Sequence, residues 1–97
     1  MARPPRYFLV CYDICDDKRL RAVYKTMRGF GDPLQYSVFL CRLSDMRRVE
    51  LDAQLGDILN HDVDQVMIVD LGPEGALDRF AVLGAPLDRP ERAIRVV

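Results

Sequence analysis

The chain has 97 residues, of which 49% are hydrophobic and 30% are charged. That composition allows one packed domain and excludes a disordered chain, and no apolar run is long enough for a membrane-spanning helix. The net charge of −1 conceals an asymmetry, because residues 1–48 hold ten Lys and Arg against five acids, whereas residues 49–97 hold four Arg against ten acids. A basic surface fits a phosphate backbone, and an ordinary hydrated helix face is the alternative.

The cysteines are odd in number, lie in or beside apolar runs and include no C-x-x-C pair; they are Cys11, Cys15 and Cys41. We therefore expect small buried thiols rather than a disulfide framework or a zinc site. The first residues lead directly into a strand-like segment, without the apolar stretch of a signal peptide. We accordingly expect a cytoplasmic protein with no membrane partner.

The first half of the chain predicts a strand followed by an amphipathic helix. Residues 7–12 (YFLVCY) form a continuous apolar run, typical of a strand that is buried on both faces. Residues 15–17 supply an N-cap and acids for the start of a helix, and Gly29 is placed to end it. The helix has an apolar face of Leu20, Val23, Tyr24 and Met27, and its other side carries Lys18, Arg21, Lys25 and Arg28.

A second strand and a second helix follow. Residues 30–33 are turn-like with at most a short strand, and residues 34–43 (LQYSVFLCRL) form a clear strand. Ser44 caps a helix that runs to about residue 59. We expect the inward face of this helix to contain Leu51, Leu55, Ile58 and Leu59, with Met46 and Val49 near its start.

The last elements complete a recognisable pattern. Residues 66–69 predict another buried strand, and residues 80–83 and 94–97 predict two short strands. The order strand, helix, short strand, strand, helix, strand is the βαββαβ ferredoxin-like pattern, an α+β fold whose antiparallel sheet carries two helices on one face. We predict this domain over residues 1–75, and a C-terminal extension over residues 76–97 that adds a strand and packs on a dimer partner.

The predicted sheet has apolar residues on both faces. In the first strand the two alternating sets are Tyr7, Leu9, Cys11 and Phe8, Val10, Tyr12. Two helices cover only one face, and a face open to water should carry polar residues. Because a bare apolar face needs a cover, we predict a homodimer in which two sheets pack face to face about a two-fold axis. The C-terminal strand would then protect the edge of the partner's sheet.

Asp13 is the strongest candidate for chemistry. It lies where the first strand ends and the first helix approaches, a usual place for functional side chains. Asp16 and Asp17 follow within one turn, and three neighbouring carboxylates can hold Mg²⁺, which uses carboxylates, waters and phosphate oxygens. Such a metal assists phosphodiester cleavage. The alternative is that Asp16 and Asp17 only cap the helix and complement its dipole.

Other candidates have plainer explanations. His61 follows the second helix in a polar loop, where it can meet the helix terminus or be simply exposed. Tyr12, Tyr36 and Phe39 can stack on bases, although core packing is the common role of strand aromatics. The basic side chains of the first helix can contact phosphates without reading sequence.

Two segments resemble a known family. Residues 12–19 (YDICDDKR) resemble the YDI-small-DD-K/R segment of the small CRISPR-associated endoribonuclease family that acts in spacer acquisition. Residues 34–39 (LQYSVF) resemble the x-Q-x-S-V-F strand of that family. The two motifs are separated, as in the family, by one helix ending in Gly and a turn. The resemblance covers roughly residues 6–71.

The resemblance implies a ferredoxin-like symmetric dimer that acts on nucleic acid with Mg²⁺. Asp13 falls on the family's metal-linked acid, one from each protomer near the two-fold axis. Members cut single-stranded RNA or double-stranded DNA, some do not cut, and the family bridges two copies of the CRISPR integrase dimer while binding the DNA to be inserted. We expect Asp13 to be the catalytic and metal-binding residue, and the nucleic-acid-binding residues to be Arg19, Arg21, Lys25 and Arg28.

Four functions therefore compete at this point. They are a metal-dependent nuclease, a non-catalytic DNA-binding scaffold for the integrase, a related toxin-type ribonuclease on the same dimeric fold, and a ligand-sensing ferredoxin-like module. No ligand-binding fingerprint supports the last. Family members often carry an arginine just before the Gln of the second motif, where this chain has Leu34. By the resemblance, this arginine is a candidate contact to phosphate or to the transition state, and Arg19 and Arg21 are candidate replacements for it.

Overall fold

A computed structural model describes residues 3–74, 77–87 and 95–96. Its two α-helices and six strands follow one another in the predicted order. They are β1 (Arg6–Asp13), α1 (Asp17–Arg28), β2 (Asp32–Gln35), β3 (Val38–Leu43), α2 (Asp45–Ile58), β4 (Gln65–Gly72), β5 (Ala81–Val82) and β6 (Arg95–Val96). A short 3-10 helix covers Leu77–Arg79.

The four main strands form one antiparallel sheet with the order β2-β3-β1-β4. The first strand is central, because Val10 pairs with Phe39 of β3 on one side and with Ile68 of β4 on the other. This topology confirms the predicted ferredoxin-like βαββαβ fold.

The core lies between one face of this sheet and the two helices. Phe8, Val10 and Tyr12 alternate along β1 toward the helices, and all three are buried. From the helices, the core receives Val23 and Met27 of α1 and Leu51 and Leu55 of α2. The helices therefore pack on the sheet through their predicted apolar faces.

Both helix starts are capped as predicted. The Asp16 carboxylate accepts a hydrogen bond from the Arg19 amide at 2.9 Å, and the Ser44 hydroxyl accepts one from the Arg47 amide at 3.2 Å. Gly29 ends α1 as predicted, with right-handed backbone geometry (φ −81°). Side-chain caps satisfy amide donors that have no partner within the helix, so each strand-to-helix junction is well defined.

The start of α2 differs from the prediction. Met46 and Val49 are 76% and 67% exposed, so their assignment to the inward face was wrong. At 100° per residue they point almost opposite to Leu51. Arg48 takes the inward direction instead, and its guanidinium lies 5.0 Å from the centre of the Phe8 ring.

The predicted strand over residues 34–43 is also divided in two. Tyr36 and Ser37 form a turn, so that the first part of the segment belongs to β2 and the remainder to β3. The turn contains none of the Gly, Asn or Asp residues that usually mark a tight hairpin, so no local signal predicted it. Pro33 is accommodated because β2 is an edge strand, where a missing amide donor costs little.

The other face of the sheet is only partly covered. It carries Leu9 and Cys11 of β1, and Met67 and Val69 of β4 are 57% and 38% exposed. The predicted burial of β4 on both faces is therefore not reached within one chain. An apolar sheet face of this kind is consistent with the predicted face-to-face homodimer.

The C-terminal extension contains the two predicted short strands in reduced form. β5 and β6 pair in parallel as a separate two-stranded sheet, and Ile94 and Val97 lie outside the described residues. Phe80 and residues 81–83 line a groove of about 270 Å³ that they share with the open sheet face. The domain boundary near residue 75 and the packing of the extension on a second protomer stay predictions. Neither α-helix in the described ranges reaches the length of a membrane span.

Candidate nucleic-acid site

Asp13 is the last residue of β1, and its side chain is exposed. It pairs in register with Gln65 of β4. Strand alternation places it in line with Leu9 and Cys11, on the sheet face away from the helices. Within the described ranges no hydrogen bond or ion pair engages its carboxylate. The Asp13 carboxylate is therefore available as a metal ligand at the edge of the open sheet face.

The two neighbouring acids have different positions. Asp16 is occupied as the N-cap of α1, and Asp17 is in the first turn of the helix. Among the residues described, no group of three or more His, Cys, Asp or Glu side chains is arranged to hold a metal ion. The predicted three-carboxylate site is therefore not assembled within the described residues of one chain, and Asp13 is the candidate ligand that lies outside the helix start.

A buried carboxylate that the sequence did not predict holds the loop after Asp13. The Asp64 side chain is fully buried and accepts from Arg19 Nε at 2.7 Å and Arg19 Nη2 at 3.2 Å. It also accepts from the backbone amides of Cys15 at 2.9 Å and Asn60 at 2.9 Å. One carboxylate thus ties the β1–α1 loop, the first turn of α1 and the loop before β4 together.

These bonds shift the acidity of the pair. The Arg19 guanidinium, and then the Cys15 amide, hold the pKa of Asp64 far below its usual value. The same contact raises the pKa of Arg19. Both groups are therefore charged at neutral pH, and the pair is a fixed part of the fold.

Cys15 makes a second contact across these loops. Its thiol donates to the Val63 carbonyl at 3.0 Å, although the residue itself is exposed. Cys41 is buried as predicted, and burial raises the pKa of its thiol to about 12. The expectation of a buried thiol was wrong for Cys15, because it lies in the loop rather than in the apolar strand.

The basic residues of α1 separate into two groups. Arg19 is committed to Asp64, whereas within the described ranges no acid pairs with the other four, which are Lys18, Arg21, Lys25 and Arg28. All four are exposed, and at 100° per residue they lie within an arc of about 80°. We call these four residues the α1 stripe. It contains three of the four residues predicted to bind nucleic acid.

The remaining basic residues of the first half are largely engaged. Arg3 pairs with Asp45, Arg6 with Asp70, Arg47 with Glu50 and Arg48 with Asp52. Arg42 lies 6.0 Å from the centre of the Tyr7 ring. Half of the ten basic residues counted in the first half are therefore ion-paired, and the α1 stripe holds most of the positive charge that is left.

The three candidate aromatic residues differ in burial. Tyr12 and Phe39 are core residues, with ring centroids 6.2 Å apart. Burial raises the pKa of Tyr12 to about 12, so its hydroxyl remains a donor, and it donates to the Tyr36 carbonyl at 3.1 Å. Tyr36 itself is 70% exposed. His61 is exposed, with Nε2 2.9 Å from the Gly56 carbonyl near the end of α2, and takes no part in this site.

Comparison with known proteins gives a consistent result. The family model described as CRISPR associated protein Cas2 matches residues 6–77. A "CRISPR-associated endoribonuclease Cas2" of Geobacter sulfurreducens is 43% identical over 84% of this chain and 86% of its own length. A "CRISPR-associated endoribonuclease Cas2 1" of Rhodospirillum rubrum is 40% identical over 93% and 89%. A solved structure described as the crystal structure of Cas2 superposes with a TM-score of 0.72, at 30% identity, over 84% of this chain and 90% of that one.

The family match covers both sequence motifs and the whole four-stranded sheet. The likeness to the solved structure extends over the same βαββαβ layout. Sequence and fold agree over most of the chain, which therefore belongs to the CRISPR associated protein Cas2 family.

Proposed function

We propose that this chain binds nucleic acid as a homodimer in CRISPR spacer acquisition, and that Asp13 supports Mg²⁺-dependent cleavage of phosphodiester bonds. The observation that carries the proposal is the α1 stripe, whose four exposed cations have no acidic partner in the described ranges. Exposed cations in one row can contact successive backbone phosphates, and such contacts do not read sequence.

The homodimer is supported by the open sheet face. Met67 and Val69 are exposed on it, and a second copy would remove this apolar area from water. Asp13 belongs to the same alternating set as Leu9 and Cys11. Packing two such faces together brings the strand ends of both protomers to the interface, so the ligand set that one chain lacks would be completed by two.

Asp13 fits part of a magnesium site. It offers a carboxylate with no competing partner in the described ranges, and Mg²⁺ characteristically takes one or two carboxylates beside waters and phosphate oxygens. When bound, the ion supplies Lewis acidity toward phosphoryl oxygens and activates water. The role of Asp13 would be to hold the Mg²⁺ ion at the end of β1. The role of the Asp64–Arg19 pair is to fix the backbone that follows.

A second candidate function is a scaffold that binds duplex DNA and the CRISPR integrase without cutting. It is favoured by the lack of a cluster of three or more ligating side chains among the described residues, and by the commitment of Arg19 to Asp64. Both features weaken a catalytic site and leave the α1 stripe intact. Family membership supports an acquisition role for either candidate over the toxin-type ribonuclease.

Cleavage assays distinguish the two candidates. Labelled single-stranded RNA and double-stranded DNA are incubated with Mg²⁺ and wild type, Asp13→Asn or Asp57→Asn. The last removes the same charge from an exposed site on α2. We expect Asp13→Asn to lower the cleavage rate by at least about 100-fold, and Asp57→Asn to leave it unchanged. Light scattering confirms that all three proteins are dimers.

Three other results would change the account. If neither wild type nor Asp13→Asn cuts, or if both cut equally, the nuclease assignment fails and the scaffold becomes the leading function. If the wild type is a monomer at micromolar concentration, the homodimer is wrong. If the wild type binds neither nucleic acid, the α1 stripe has another role and both candidates fail.

A further inference from the structure

Tyr36 is unusual among the aromatic residues of the domain. Tyr12 and Phe39 are buried in the core, whereas Tyr36 projects from the β2–β3 turn and is 70% exposed. Because most of its surface stays in water, core packing alone does not account for the position of this ring.

The ring of Tyr36 is supported by a chain of aromatic contacts that leads to the core. It stacks on Tyr24 of α1 with centroids 5.8 Å apart and planes 21° apart. Tyr24 in turn meets Phe39 edge-on at 5.5 Å, and Phe39 is fully buried. The backbone of the turn is held by the Tyr12 hydroxyl, which donates to the Tyr36 carbonyl at 3.1 Å. A ring supported on one face in this way presents its other face as a fixed, flat surface.

The ring also lies beside the α1 stripe. Tyr24, on which it stacks, has Arg21 three residues before it and Arg28 four residues after it, and these spacings make neighbours on a helix surface. The hydrogen bond from the Tyr12 hydroxyl places the turn next to the end of β1, whose last residue is Asp13. The stacking partner is on α1, so the ring is on the helix side of the sheet and outside the proposed dimer interface.

We propose that Tyr36 is a base-stacking residue, and that the α1 stripe and Tyr36 together bind single-stranded nucleic acid with one unpaired base on the free face of the ring. Basic side chains beside an aromatic ring are the combination that binds single strands, because the cations contact the backbone and any base can stack on the ring. Bases inside a duplex have no free face. The inference rests on the nucleic-acid binding proposed above, and it does not depend on cleavage.

The test measures the affinity of oligonucleotides for dimers of five proteins, without Mg²⁺ so that no strand is cut. These are wild type, Tyr36→Ala, Tyr36→Leu and Tyr36→Phe, with Met46→Ala as a control at another exposed apolar position. The probes are a single-stranded RNA, a single-stranded DNA, a duplex of the same length, and a strand with abasic sites. Circular dichroism shows that each variant folds.

We expect Tyr36→Ala and Tyr36→Leu to weaken binding of the single strands about tenfold. Tyr36→Phe and Met46→Ala should stay within about twofold of wild type, because phenylalanine keeps the aromatic face. For Tyr36→Ala and Tyr36→Leu, affinity for the duplex and for the abasic strand should differ from that of wild type by less than about twofold. A 2-aminopurine base in the strand should be quenched on wild type and not on Tyr36→Ala.

Other outcomes overturn the inference in distinguishable ways. If wild type binds single strands and Tyr36→Ala binds them equally well, the stacking role is wrong and the proposed function stands. If the abasic strand loses as much affinity as the normal one, the ring contacts the backbone rather than a base. If wild type binds no oligonucleotide, nucleic-acid binding itself is wrong, and this inference fails with it.

Discussion

The two helices lie on the same face of the sheet, yet they use their basic residues in opposite ways. On α2, Arg47 lies 4.1 Å from the centre of the Phe30 ring and donates to the Gly29 carbonyl at 3.1 Å. Arg48 lies over Phe8 and pairs with an acid one turn later. On α1 the four stripe residues are exposed, and no acid pairs with them in the ranges described.

This difference shows why counting charges along the chain is a poor guide to a binding surface. The first half of the sequence looks uniformly basic, but contacts within the fold use Arg residues of α2 as packing and pairing groups. A basic residue that lies over a ring and pairs with an acid stabilises the fold. A basic residue without such partners contributes a field that reaches an approaching phosphate.

The largest expected effect comes from removing the charge of α1. In the triple variant Arg21→Gln, Lys25→Gln, Arg28→Gln, three phosphate contacts are lost. Affinity for a single-stranded oligonucleotide at 50 mM salt should fall on the order of 100-fold, measured by fluorescence anisotropy. The thermal midpoint should change by no more than about 2 °C, because these side chains support no described contact. A large fall in the midpoint with unchanged affinity would show that the basic residues of α1, like those of α2, stabilise the fold rather than bind nucleic acid.

Asp64→Asn should have the largest effect on stability. An asparagine cannot accept from Arg19, Cys15 and Asn60 as the carboxylate does, and it leaves Arg19 with only the more distant Asp16 carboxylate at 3.9 Å. We expect the thermal midpoint to fall by about 10 °C. Asp62→Asn, in the same loop but exposed, should change it by less than about 2 °C. Equal midpoints for the two variants would show that the Asp64–Arg19 pair does not hold the loops.

The same pair predicts a pH dependence. The folded pKa of Asp64 lies below its ordinary value of 3.8, so the unfolded chain takes up the proton first as pH falls. The stabilisation is fully present above about pH 5 and is lost progressively as pH falls through the ordinary carboxyl range toward the folded pKa. The difference in urea midpoint between wild type and Asp64→Asn should therefore shrink from pH 6 to pH 3. A constant difference would mean that the charge of Asp64 is not what stabilises the pair.

Arg47→Gln should have the smallest effect and should be confined to stability. The variant loses the contact with the Phe30 ring, the bond to the Gly29 carbonyl and the ion pair with Glu50. We expect a cost of about 0.5–1 kcal/mol, seen as a fall of a few degrees in the thermal midpoint. Oligonucleotide affinity should stay within about twofold of wild type. A tenfold loss of affinity would show that α2 also contacts nucleic acid.

Much of the fold was predictable because its signals are local. Ser44 and Asp16 are caps that act within three residues, and the apolar spacing of α1 identifies its buried face. The position of Asp13 follows from where an apolar run ends. These features need no knowledge of distant contacts.

The parts that could not be predicted depend on long-range contacts or on a turn without a signature. Arg19 and Asp64 are 45 residues apart in sequence, so nothing local shows that this cation is engaged. Tyr36 looks like a strand residue until the turn at residues 36–37 divides the segment. The proposed binding surface thus depends on which residues the fold leaves unused, a property that the sequence alone does not display.

The most direct test of the account is the salt dependence of binding to a single-stranded oligonucleotide. The slope of log affinity against log salt is measured for wild type, the α1 triple variant and Arg47→Gln. At about 0.7 per phosphate contact, the triple variant should have a slope shallower by about 2, and Arg47→Gln should keep the wild-type slope. An unchanged slope for the triple variant would contradict the claim that nucleic acid lies on the α1 stripe.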